Sequence, residues 1–124
     1  PKSLPAMVKD NRIQDKVAGV GFDWEEPHQV FEKVKEELFE LNEEIEKGHK
    51  DNIEKEFGDV LFSMINYARF IKVDPESALE RTNKKFIKRF QFLEEAARKE
   101  GKQLANMTLA EMDVHWEKSK DFFK

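Results

Sequence analysis

Asp51-Asn-Ile-Glu-Lys-Glu-Phe-Gly-Asp-Val-Leu-Phe-Ser-Met-Ile-Asn-Tyr-Ala-Arg-Phe70 decides the architecture. Ile53, Phe57, Val60, Leu61, Met64, Ile65 and Ala68 recur at helical spacing, so the stretch reads as a helix with Asp51 as its N-cap. Phe62, Tyr67, Phe70 and Ile71 carry apolar character outside that stripe. A helix apolar around so much of its circumference needs partners on more than one side, which in a chain of 124 residues predicts a dimer.

Upstream, Pro27 opens a second helix whose apolar positions are Val30, Phe31, Val34, Leu38, Leu41 and Ile45, and Gly48 ends it where a left-handed cap is wanted. Before it, Leu4-Pro5 begins a first helix over Ala6 to Ala18, closed by Gly19-Val20-Gly21. Downstream, Asp74-Pro75 reads as N-cap and first-turn proline of a fourth helix that runs to about Lys99 and stops at Gly101. Leu79, Phe86, Phe90, Leu93 and Ala97 form its apolar stripe. Thr108-Leu-Ala-Glu111 has the form of a capping box and starts a last helix with Met112, Trp116 and Phe123. No stretch alternates with period two, so the chain is all-α.

Composition narrows the function. With 26 acids, 22 bases and a net charge of −4, the chain is not expected to coat duplex nucleic acid, a task for basic surfaces. The absence of cysteine excludes disulfides, thiolate zinc sites and thiol catalysis. Apolar runs such as Val60-Leu61-Phe62 fall far short of a membrane span, and nothing at the start reads as a signal peptide. A cytoplasmic protein with no membrane partner is the expectation. One domain over residues 1–124 suits the length, and a first residue of proline fits a chain cut from a longer one.

Two helices carry acids at i, i+3: Glu37 with Glu40, and Glu56 with Asp59. A short turn between the helices makes them antiparallel, so the two pairs can face one another. Four converging carboxylates repel, and divalent cations relieve the repulsion; oxygen-only ligands favour Mg²⁺ or Mn²⁺. A chain so rich in acids also produces such pairs on solvated helix faces. Against that, Asp59 lies in the most apolar stretch, where poor solvation is expected, and mid-helix Gly58 suits the close approach of a ligand or another backbone. A di-iron bundle would need Glu-x-x-His within helices, but Glu25-x-x-His28 spans Pro27 and Glu46-x-x-His49 spans Gly48. His115 is read as a surface or packing residue. Lys85 and Arg89, one turn apart on the fourth helix, suit triphosphate oxygens, or else a solvated basic face. Trp116 and Lys120 form another i, i+4 pair, with Trp116 a candidate to stack on a base or to pack in the core.

Gly19-Val-Gly-Phe-Asp-Trp24, Glu36-Glu-x-x-Glu40, Glu56-x-Gly-Asp-Val-Leu-Phe62, Asn66-x-Ala-Arg69 and Asn83-x-Lys-Phe-x-x-Arg-Phe90 follow one another in the order seen in MazG. The chain resembles a MazG-type nucleoside triphosphate pyrophosphohydrolase, and is most similar to the carboxy-terminal module of two-module members. The resemblance covers Leu4-Pro5 to Trp116. It implies a homodimer with a four-helix core built from helical hairpins, flanked by N- and C-terminal helices. It also implies Mg²⁺-dependent hydrolysis of an NTP or dNTP to the monophosphate and pyrophosphate, in the upkeep of nucleotide pools. The implied metal ligands are Glu37, Glu40, Glu56 and Asp59. Lys85 and Arg89 fall on phosphate-binding positions, and Lys33, Trp116 and Lys120 on nucleotide-contacting ones. The Lys47–Asp51 turn is shorter than in some members, and Asn52 stands where some carry Lys, leaving Lys55 as a substitute.

Water attack on a phosphoryl group needs no side-chain nucleophile, which suits a chain without Cys and without a convincing Ser-His arrangement. Glu37 or Glu40 could then position or deprotonate the water. The competing functions are a non-catalytic helical interaction module and a nucleotide-binding sensor on the same scaffold.

Overall fold

The computed structural model describes residues 6–124; the expected helix start at Leu4-Pro5 lies outside them. Five helices follow in order: α1 (Ala6–Ala18), α2 (Pro27–Lys47), α3 (Lys50–Phe70), α4 (Pro75–Lys99) and α5 (Leu109–Phe122). There is no strand among the described residues, so the all-α class holds. None of these helices is long and apolar enough to cross a membrane. The chain divides into two compact units, the first ending at Glu76 and the second running Ser77–Lys124.

In the first unit, α2 and α3 make the main helix pair. Gly48 adopts φ 73°, and its N–H bonds the Glu44 and Ile45 carbonyls at 3.0 and 3.2 Å, so the chain reverses within two residues. That tight reversal moves the start of α3 forward. The N-cap is His49 rather than the expected Asp51, which sits in the first turn, where its charge complements the helix dipole. At the head of α2, the Gln29 side chain accepts from the backbone N–H groups of Glu25 and Glu26 at 3.0 and 3.1 Å. Val30, Val34 and Leu41 of α2 are buried, as are Val60 and Ile65 of α3. The buried Ser63 hydroxyl donates to the Val60 carbonyl at 2.8 Å, which satisfies it locally.

α1 packs on α3, tied by the Gln14 side chain, whose Nε2 donates to the Phe62 carbonyl at 3.2 Å and to Asp10 at 2.9 Å. The segment after α1 turns through Gly21 at φ 92° and delivers Asp23 to the end of α3. There Arg69 Nη2 donates to Asp23 Oδ1 at 2.5 Å and to Asn66 Oδ1 at 3.0 Å. The guanidinium holds the Asp23 carboxyl below its ordinary value, chiefly through that hydrogen bond.

In the second unit, Leu93, Ala97, Met107 and Ser119 are buried. Gly101, at φ 69°, closes α4 as expected. A 3₁₀ turn over Leu104–Asn106, which no sequence pattern announced, precedes α5. The Thr108–Glu111 capping box is complete: Glu111 N–H donates to Thr108 Oγ1 at 3.1 Å, and Thr108 N–H to Glu111 Oε1 at 3.0 Å. The Thr108 backbone bond and the Lys102 ammonium, 3.0 Å away, pull the Glu111 carboxyl down to about 2. His115, a packing residue as expected, meets Glu100 at 3.1 Å.

Large apolar side chains of α3 stay half-exposed, Phe57 at 52%, Leu61 at 49% and Phe62 at 50%, in line with its broad apolar circumference. No backbone of the described residues approaches Gly58: a Cβ there would meet no described atom within 4 Å. Helical backbone with free space around it is where alanine gains over glycine. Gly58→Ala should therefore raise the unfolding free energy by about 0.4–1 kcal/mol in urea titrations; a loss of stability would mean that something does approach this face in solution.

Candidate active site

Glu37 of α2 and Glu56 and Asp59 of α3 each offer one carboxylate oxygen, all within 4.8 Å of one another. The i, i+3 spacing on α3 puts Glu56 and Asp59 on one face, and the tight reversal at Gly48 brings α2 alongside. Their solvation differs from the sequence expectation. Glu37 is the buried member, 6% exposed, whereas Asp59 is exposed and Glu56 is intermediate. The apolar neighbours of Asp59 do not cover it, because successive helix positions turn about 100° and Val60 takes the core-facing direction.

Glu37 Oε1 receives the Lys33 ammonium at 2.9 Å, while Glu37 Oε2 is out of solvent and accepts no hydrogen bond among the described residues. Glu56 Oε2 is in the same condition, and so is Oε2 of Glu44. Glu40 stands beside the group without joining the three closest oxygens. Its carboxyl is raised above the ordinary value by desolvation and then by the charges of Glu37, Glu56 and Glu36. Glu56 is raised likewise, by desolvation and then by Asp59, Glu37 and Glu44, with a hydrogen bond to Glu40 pulling the other way. Glu44 is the member that sequence reasoning missed. Its position four residues after Glu40 and seven after Glu37, on the same helix face, was the available signal.

This donor set fits a hard divalent cation: carboxylate oxygens only, two of them buried and unpartnered, in a field negative enough to raise two pKa values. His28 and His49 are exposed, each against a glutamate of its own neighbourhood (Glu26 and Glu44), and neither belongs to the group of three. Lys33 reaches Glu37 and Glu36, and that contact with Glu37 raises its own pKa. Lys55 is exposed on α3.

The remaining candidates belong to the second unit. Lys85 lines a cavity of 600 Å³ with Arg81, Lys84, Lys88 and Lys124. Arg89 is half-buried and its Nε donates to the Phe123 carbonyl at 2.8 Å, tying α4 to the end of α5. Trp116 packs against Phe86 with ring centroids 5.1 Å apart, and Lys120 pairs with Glu117 at 2.8 Å.

Two measurements probe the cluster directly. Raised carboxyls stabilise the fold below their unfolded value near 4.5 and lose that contribution as pH rises through the higher folded values, so repulsion is fully present at neutral pH. The increase in Tm on adding Mg²⁺ should accordingly be saturable, largest at neutral pH, and smaller as protons reoccupy Glu40 and Glu56 on acidification; a pH-independent increase contradicts binding at this cluster. Lys33→Met leaves the buried Glu37 charge unpartnered and should cost the metal-free protein about 1–3 kcal/mol in urea titrations. Saturating Mg²⁺ should recover most of that loss, and no recovery would separate Glu37 from the cation.

Residues 25–92 match the MazG nucleotide pyrophosphohydrolase domain. The chain is 45% identical over 119 residues to the nucleoside triphosphate pyrophosphohydrolase/pyrophosphatase MazG of Thermotoga maritima, an alignment covering 94% of this chain and 45% of that protein. It is 36% identical over 122 residues to the nucleoside triphosphate pyrophosphohydrolase of Escherichia coli, covering 97% of this chain and 46% of that one. An uncharacterised Bacillus subtilis protein, YabN, is 49% identical over 76 residues, 61% of this chain and 16% of its own length. The chain thus spans about half the length of the two named pyrophosphohydrolases. With the acidic helix pair inside the matched region, the chain belongs to the MazG nucleotide pyrophosphohydrolase domain family.

Proposed function

We propose that the chain hydrolyses nucleoside triphosphates to the monophosphate and pyrophosphate with Mg²⁺, Mn²⁺ being a possible substitute, as part of nucleotide-pool housekeeping. The observation that carries this reading is the Glu37–Glu56–Asp59 group with its buried, unpartnered oxygens. Those three residues, with Glu40 beside them, would hold the cation. When bound, it would lower the pKa of water and offset charge on the attacking and leaving oxygens.

Glu40 is the carboxylate best suited to take the proton of the attacking water. It lies outside the three closest oxygens, so a cation held by Glu37, Glu56 and Asp59 would leave its carboxylate to act on the water. Lys33 holds Glu37 in one orientation in the metal-free state and is a donor that a phosphate oxygen could take over. The resemblance assigns Lys85 and Arg89 to the phosphates and Lys33, Trp116 and Lys120 to nucleotide contacts, with Lys55 as the substitute for the lysine that some members carry where Asn52 stands. The length of the chain suits a single functional domain over residues 1–124, and the cytoplasm is the place of action in this reading. A homodimer is supported by the half-exposed apolar side chains of α3, since a second copy would remove them from water; sedimentation at micromolar concentration reads it.

The test is a panel of NTPs and dNTPs with Mg²⁺, resolving monophosphate plus pyrophosphate from diphosphate plus phosphate. Glu40→Gln and Asp59→Asn should each abolish turnover while the helical circular-dichroism signal persists, because each keeps shape and removes charge. Arg89→Lys keeps the charge but loses the forked donor, and kcat/KM should fall by about 1–3 kcal/mol in transition-state terms. Near-normal Mg²⁺-dependent turnover in the carboxylate variants would remove the metal assignment. An unchanged Arg89→Lys enzyme would leave Arg89 as the tie to Phe123 alone.

A further inference from the structure

The fourth helix differs from the rest of the chain in its charge. In a sequence with 26 acids, α4 carries none between Arg81 and Leu93, and Arg81, Lys84, Lys85, Lys88 and Arg89 all fall there. Arg81, Lys85 and Arg89 repeat at i, i+4, as do Lys84 and Lys88, and like charges at that spacing weaken a helix. No acid of the described residues pairs with any of them. The helix thus bears a repulsion that nothing in its own unit relieves.

The end of α5 is fixed against this stretch. The Phe122 ring stacks on Phe92 with centroids 5.4 Å apart, and the Phe123 carbonyl accepts from Arg89 Nε at 2.8 Å. Phe123 leaves the helix at φ −128° and ψ 84°, its own N–H still bonded to the Ser119 carbonyl at 3.0 Å. It also lines the 600 Å³ cavity that holds Lys85 and Lys88.

The kind of acceptor decides what this contact can do. A guanidinium offers two forked edges, one of Nε with an Nη group and one of the two Nη groups together. The Phe123 carbonyl takes Nε, while Nη1 and Nη2 of Arg89 donate to none of the described residues. Arg69 and Arg98 are held differently, by the carboxylates of Asp23 and Glu95, which orient the guanidinium and also cancel its charge. A backbone carbonyl at a helix C-terminus carries only part of a negative charge. It orients Arg89 and leaves the cation largely uncompensated.

We propose that the Phe123 carbonyl is a positioning group for phosphate recognition: it holds Arg89 by Nε and leaves the Nη1–Nη2 edge to grip two oxygens of the triphosphate. The inference rests on the function proposed above and adds the end of α5 to that site. Arg89 is already half-buried and tethered, so gripping phosphate costs it less conformational freedom than a free surface arginine would lose.

Inorganic tripolyphosphate with Mg²⁺ is the probe. It is titrated by calorimetry into wild type, Phe123→Gly and Val114→Gly, and the arginine Nε–H resonances are followed by heteronuclear NMR. The Arg89 resonance is the one lost in Arg89→Lys. It should exchange slowly with water in the free protein and persist when tripolyphosphate is bound. Phe123→Gly keeps every charge but loosens the backbone that carries the carbonyl. It should weaken tripolyphosphate binding by about three- to tenfold, and raise KM for a hydrolysed NTP more than it lowers kcat. Val114→Gly loosens α5 at an exposed position away from the tie and should bind as wild type does. Loss of the Nε–H signal on binding would show that the carbonyl competes with phosphate and overturn the proposal. Wild-type affinity in Phe123→Gly, equal weakening in both variants, or no binding of tripolyphosphate by wild type would overturn it as well. If the expected binding is found in a protein that hydrolyses no nucleotide, the positioning role stands and the proposed hydrolysis fails by itself.

Discussion

Like charge held at short range between α2 and α3 is the constraint around which the first unit is arranged. Glu37, Glu56 and Asp59 bring their oxygens within 4.8 Å, and two of the carboxylates keep an oxygen away from both water and donors. A helix pair selected for stability alone would place apolar residues there, since a buried charge costs several kcal/mol unless it is compensated. Compensation inside the chain is partial. Lys33 covers one oxygen of Glu37, while Glu40 and Glu56 answer by holding protons more tightly. The remaining deficit fits the cluster to hold a divalent cation.

The helix pair tolerates this because its apolar layer lies next to the acids on the same two helices. Val30, Val34 and Leu41 alternate with Glu37 along α2, and Val60 follows Asp59 directly on α3. Gly48 sets the arrangement: a left-handed residue ends α2 and reverses the chain tightly, so that α3 returns alongside α2. The same economy leaves much apolar surface of α3 uncovered by its own chain.

Most of this was legible in the sequence because caps and periodicities are local. Pro27, Gly48, Pro75, Gly101 and the Thr108–Glu111 box set helix limits through interactions within a few residues, and the structure uses each of them. Legibility failed where the answer depends on direction in space. Asp59 sits among apolar residues in sequence yet points to solvent, whereas Glu37, flanked by Glu36 and Leu38, is the buried one. Glu44 and the interplay of Asp23, Asn66 and Arg69 escaped notice because no short pattern marks residues that meet through the fold, up to 46 positions apart. Arg69 carries no local signal beyond the Asn66-x-Ala-Arg69 motif. Its role in orienting Asn66 follows from donor and acceptor counting, which needs coordinates.

These observations divide the labour along α3. Its first half concentrates negative charge that needs a cation, and the turn carrying Asn66 and Arg69 neutralises its charges internally and leaves neutral hydrogen-bonding groups. A ligand lying along this helix face would therefore meet a strong, weakly selective electrostatic attraction at one end and a weaker, shape-dependent recognition at the other. Charge attraction of the first kind acts on every triphosphate alike, so it cannot by itself distinguish one nucleotide from another. Discrimination must come from uncharged groups whose hydrogen bonds only the right partner completes.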